Sequence, residues 1–77
     1  MPVSERIEYI KKHRVKGDIK SVSDELSLNY NTVRDIIFGK LYGSNGDKVL
    51  NLIENIIYNR LRKEEKERKK FLKKLQN

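Results

Sequence analysis

Apolar residues recur along this chain at helical spacing in four segments, and nowhere do they alternate as a half-buried strand requires. Pro2 or Ser4 can open a first helix through about Arg14, with Ile7 and Ile10 inward, and Val15-Lys16-Gly17 ends it. Asp18 can cap a second helix, on which Ile19, Val22 and Leu26 share a face. Leu26-Ser27-Leu28-Asn29 breaks the period, and Thr32–Phe38 resumes it with Val33, Ile36 and Ile37 on one side until Gly39 stops it. After the loop Leu41–Gly46, Asp47 can cap a long helix carrying Val49, Leu50, Leu52, Ile53, Ile56, Ile57 and Leu61. The fold expected is all-α: a small helix-turn-helix bundle of about four helices with an extended, basic C-terminal helix.

Ser23 stands beside Val22 on the inner side of the second helix, where a small residue lets the third helix approach at a steep angle. A Leu or Phe there would clash. Taken with Val22, Leu26, Leu28, Tyr30-Asn31-Thr32-Val33, Ile36 and Gly39-Lys40, the segment 19–40 resembles the lambda-repressor-like, Cro/C1-type helix-turn-helix proteins of phages, plasmids and bacteria. Ser27 stands where that family commonly has a turn glycine, and Phe38 where a small or polar residue usually precedes Gly-Lys. The resemblance runs from about residue 4 to residue 59 and does not reach the tail. It implies a DNA-binding transcriptional regulator of repressor type, whose groove contacts come from Asn29, Tyr30 and Asn31, followed by Arg34.

Seventy-seven residues allow one small domain, which buries only about 60% of its unfolded surface. There is no cysteine, hence no disulfide framework or thiolate metal site. No stretch approaches the length and apolarity of a membrane span, and the amino terminus lacks the pattern of a signal peptide. The lack of cysteine suits a reducing cytoplasm, and the resemblance implies a bacterial cytoplasm or nucleoid, or a phage-infected cell. Charge divides unevenly: residues 1–59 hold nine Lys/Arg against eight Asp/Glu, whereas 60–77 hold nine against three. The division suggests a helix-turn-helix domain over 1–59 and a basic helical tail over 60–77. Phosphate attraction requires positive charge, yet the motif itself is nearly neutral, so affinity depends on a few placed cations, a second subunit or the tail.

Within that tail, Arg62–Lys70 has no apolar residue, and Glu64 with Arg68 and Glu65 with Lys69 can pair along a helix. Phe71, Leu72 and Leu75 then return, but the polar interval argues against a long two-stranded coiled coil. The apolar face of the last helix is wider than one solvent-exposed helix needs. Its first half must therefore close the core and is also expected to cover a neighbouring subunit, with Leu50, Ile53, Ile57 and Leu61, joined by Phe71, Leu72 and Leu75, as the candidate homodimer surface.

Helical projection sends Asn31, Arg34, Asp35 and Phe38 away from Val33, Ile36 and Ile37. Arginine can donate two hydrogen bonds to guanine O6 and N7, and asparagine can pair with adenine N6 and N7. Arg34 and Asn31 are the first candidates for reading bases in double-stranded DNA. Asn29 either reads a base or caps the helix; Tyr30 either meets a thymine methyl or phosphate, or packs on the apolar side with its hydroxyl in water. Asp35 would accept from cytosine or fix Arg34 or Lys40. Phe38 either folds under the last helix or meets a partner, with packing favoured. Lys20, Ser21, Thr32, Lys40 and Tyr42 are placed for phosphate contact.

No catalytic constellation can be assembled. His13 lies between Lys12 and Arg14, there is no glycine-rich phosphate loop, and nothing implies a metal, cofactor or small-molecule ligand. Two further functions are compatible with the same fold: a sequence-tolerant structural or packaging factor on DNA, and a protein-interaction module on a helix-turn-helix scaffold.

Overall fold

The computed structural model describes residues 2–76, which form four helices: α1 (Val3–His13), α2 (Asp18–Leu26), α3 (Tyr30–Ile37) and α4 (Gly46–Gln76). There is no strand among the described residues. Each helix buries the face its periodicity marks. Ile10 comes from α1, Ile19 and Val22 from α2, Val33, Ile36 and Ile37 from α3, and Val49, Leu50, Ile53 and Ile57 from α4. Ile7, Leu26, Leu28 and Phe38 close the edges of this core. No helix is long and apolar enough to cross a membrane among the described residues.

Helix α4 is the wall shared by the other three. That role bears out the expectation that the first half of this helix closes the core, and corrects the expectation that the same residues also offer a subunit surface. Leu50, Ile53 and Ile57 are completely buried in the chain's own core, so of the candidates in that half only Leu61 remains exposed. From Leu61 to Leu75 every residue is exposed, so α4 continues past the body as an arm of about 20 Å at 1.5 Å per residue. The molecule is accordingly elongated, 53 × 26 × 16 Å. Of the two ion pairs expected along the arm, Glu65–Lys69 forms at 3.4 Å.

Charged residues far apart in sequence fasten the wall. On α1, Arg6 donates through Nε to Glu54 Oε1 at 2.9 Å and through Nη2 to Asn51 Oδ1 at 2.8 Å, with Asp47 3.5 Å away. The hydrogen bond to Glu54 holds the Arg6 guanidinium more firmly protonated than usual. At the other end of the body, Arg60 donates to Asp18 Oδ1 at 2.5 Å and to the His13 carbonyl at 3.3 Å. Arg60 therefore belongs to the folded body and not to the tail that the charge count begins with it.

Two expected caps are also corrected. Gly17, in the left-handed region at φ 98°, occupies the N-cap of α2, while Asp18 is the first helical residue. The Asp18 carboxylate turns back to accept from the Val15 N–H at 2.9 Å and from Arg60. Helix α4 begins at Gly46, and the carboxylate of Asp47 accepts from the Tyr42 hydroxyl at 2.5 Å.

Candidate nucleic-acid interface

Helices α2 and α3 are joined by three residues, Ser27, Leu28 and Asn29, the short connection a helix-turn-helix needs. Ser27 adopts a left-handed conformation at φ 54°, where a Cβ is disfavoured. Its N–H bonds to the Asp24 carbonyl at 3.4 Å, and the Leu28 N–H bonds to the Ser23 carbonyl at 3.0 Å, the pair of bonds that closes a Schellman turn. Ser23 contributes more than small size. Its hydroxyl donates to the Leu28 carbonyl at 2.9 Å, so residues 23 and 28 are tied by two reciprocal hydrogen bonds across the turn.

Asn29 then caps α3, its Oδ1 accepting from the Asn31 N–H at 2.8 Å. Of the two roles open to it, capping is the one observed. At the other end, the Gly39 N–H bonds to the Ile36 carbonyl at 3.1 Å and the Lys40 N–H to the Asp35 carbonyl at 2.8 Å, with Gly39 at φ 80°. This second Schellman turn packs Gly39 against Ile7: a Cβ there would lie 3.4 Å from Ile7 Cδ1. Both ends of α3 are thus fixed by local chemistry, and Val33, Ile36 and Ile37 anchor its inner face.

The outer face carries Tyr30, Asn31 and Arg34, all exposed. Arg34 donates through Nε and Nη2 to Asp35 Oδ1, both at 3.3 Å, so the neighbouring carboxylate holds the guanidinium on the surface. The tyrosine projects from the same face, nearly half exposed. Lys20 and Ser21 are exposed at the start of α2, Lys40 is exposed just after α3, and Thr32 is half-buried. Tyr42 is committed elsewhere: its hydroxyl bonds to Asp47 and its ring covers Gly46, where an added Cβ would run into the ring. That hydrogen bond keeps the Tyr42 phenol protonated above its ordinary range.

Two cations absent from the sequence-level site lie beside it. The guanidinium of Arg14 sits 5.0 Å from the centre of the Phe38 ring, and Lys11 Nζ 6.0 Å from it. Phe38 is half-buried against the core, with α1 supplying these charges over its ring. The end of α1 therefore brings positive charge to the end of α3. Only the three-dimensional contact reveals this, since nothing in the sequence ties Lys11 and Arg14 to Phe38. No group of His, Cys, Asp and Glu suited to a metal occurs among the described residues.

No family model, curated protein or solved structure matches this chain.

Proposed function

We propose that the chain binds double-stranded DNA through α3 and acts as a sequence-specific transcriptional regulator of repressor type. The observation that carries this is the division of α3 into two faces: one wholly consumed by the core, the other presenting an amide and a guanidinium to solvent. In the major groove Arg34 pairs with guanine and Asn31 with adenine, each contact worth about 1–3 kcal/mol of discrimination. Asp35 holds Arg34 until a base replaces it, and is then free to accept from a neighbouring cytosine amino group. Lys20, Ser21 and Lys40 contact phosphates on either side, with Lys11 and Arg14 adding charge beyond the end of α3.

Selection from random duplexes tests the assignment, using the full chain and its Arg34→Ala and Lys40→Ala variants. The expected outcome is a defined motif for the native chain, relaxed preference at one base position for Arg34→Ala, and uniform weakening for Lys40→Ala. Failure to recover any motif would overturn it. The exposed arm, in the region carrying +6 of the formal +7, favours one alternative, sequence-tolerant binding along the backbone. In that case Arg34→Ala lowers binding to all sequences alike.

A further inference from the structure

On α4, from the end of the body along the exposed arm, Tyr58, Leu61, Glu65, Arg68, Leu72 and Leu75 follow one another at alternating steps of three and four residues. That spacing sets them in a single stripe along the helix, the seam geometry of a two-stranded coiled coil. All six are exposed. A neighbouring stripe through Ile57 and Phe71 has similar spacing, but Ile57 is fully buried in the core and cannot take part.

The stripe reads in the same chemical order from either end: two apolar residues, a charge, the opposite charge, two apolar residues. We infer that the arm is a self-association surface on which a second copy of the chain docks antiparallel, with Tyr58 facing Leu75, Leu61 facing Leu72 and Glu65 facing Arg68 of the other copy. In an antiparallel pair the two kinds of seam position meet each other, so every layer is either apolar against apolar or acid against base. A parallel pair would oppose Glu65 to Glu65 and Arg68 to Arg68, two like-charge layers. Charge therefore selects both occupant and orientation. The polar interval that argues against a long coiled coil becomes the central ionic layer of a short one. Glu65 is only lightly held by its own chain, through an exposed 3.4 Å pair with Lys69 that water competes with.

The seam is about 26 Å long at 1.5 Å per residue, too short for a permanent dimer, and the association is weak and reversible. Because α4 is anchored in the body, much of the arm's ordering cost is met before the partner arrives. Residues 61–75 of each copy hold eight Lys/Arg against three Glu, a net +5, so the two arms repel outside the seam and added salt strengthens the dimer. Salt acts on DNA binding in the opposite direction.

Sedimentation equilibrium of the full chain without DNA reads the association directly. The expected result is a mass rising from 9.2 kDa toward twice that value with concentration, more readily at higher salt. Arg68→Glu and Glu65→Arg should each raise the dimer dissociation constant about ten-fold or more, having replaced attraction by repulsion in both ionic layers. An equimolar mixture of the two variants, or the double swap in one chain, restores it. Both positions are exposed, so circular dichroism should show unchanged helix in each variant. Since the chain has no cysteine, orientation follows from cross-linking: a mixture of Leu61→Cys and Leu72→Cys chains forms a covalent heterodimer, and neither variant cross-links to itself. A 9.2 kDa species at all concentrations, or self-cross-linking of Leu61→Cys, would overturn the inference. Such a failure leaves DNA recognition by α3 untouched, because no DNA enters the measurement and no α3 residue is changed.

Discussion

Replacing Arg60 by methionine isolates the contact that locks the α1–α2 connection onto α4. Asp18 has a side chain only 7% exposed, and its carboxylate receives one hydrogen bond from Arg60 at 2.5 Å and one from the Val15 N–H at 2.9 Å. Methionine keeps the aliphatic packing of the arginine stem but leaves the acid with a single donor and the His13 carbonyl without its side-chain partner. Breaking a buried pair from one side costs about 3–5 kcal/mol; Arg60 is a quarter exposed, so water can partly replace it, and about 2–3 kcal/mol is expected here. A domain of this length has roughly 4–12 kcal/mol in total. Asp18→Asn is milder, about 1 kcal/mol, because the amide oxygen still accepts from Val15 while Arg60 turns to water. In the double variant the two losses are not additive, with a coupling of about 1–2 kcal/mol. Urea unfolding followed by circular dichroism measures all three. A loss below about 0.5 kcal/mol for Arg60→Met would show that the carboxylate is adequately solvated without arginine, and the buried lock would be refuted.

Ser27→Gly should stabilise the domain by about 1 kcal/mol, because glycine accepts the left-handed backbone of the turn without steric penalty. The melting temperature should rise by roughly 4–8 °C, and an unchanged or lower value would show that the turn gains something from the serine. Tyr42 gives a pH signature. Its phenol is raised above the ordinary value of 10.0 by the bond to Asp47, so its contribution to stability is present below pH 10 and lost as pH rises through the raised value. Phenolate absorbance of the native chain minus that of Tyr42→Phe should therefore titrate above pH 10, and Asp47→Asn should bring it back. Gly46→Ala should do the same by displacing the ring that covers Gly46.

The four helices were legible because their buried residues recur at the helical period, which records local geometry alone. What one helix meets is not periodic. Arg60 and Asp18 are 42 positions apart, and Arg6 and Glu54 are 48 apart. No spacing distinguishes these partners from the many solvated charges of a chain that is 38% charged. For a related reason the pattern places Leu50, Ile53 and Ile57 in the core but does not show that nothing of them is left for a second subunit. Width of an apolar face reports how much is covered, not by whom, and three helices of the same chain cover α4. At the proposed recognition face the residue types were readable but their commitments were not. Asn29 and Tyr42 spend their polar atoms within the chain, while Asn31 and Arg34 keep theirs at the surface, with only an adjacent carboxylate on the arginine.

That difference bears on how a nearly neutral body could recognise a polyanion. With ten cations against eight anions over residues 1–60, long-range attraction from the body is slight, and α3 offers one guanidinium already beside a carboxylate. Discrimination and attraction are then separable by position. On the proposed reading Arg34 and Asn31 distinguish bases, whereas most of the positive charge lies on the arm, beyond the last core residue, Ile57. A sequence reader built this way gains affinity from the arm without losing selectivity only if the arm's cations stay off the groove α3 uses. An antiparallel partner would impose that arrangement, since pairing the two arms turns Glu65 and Arg68 inward and leaves Lys63, Lys66, Lys70 and Lys73 on the outer surface of the pair.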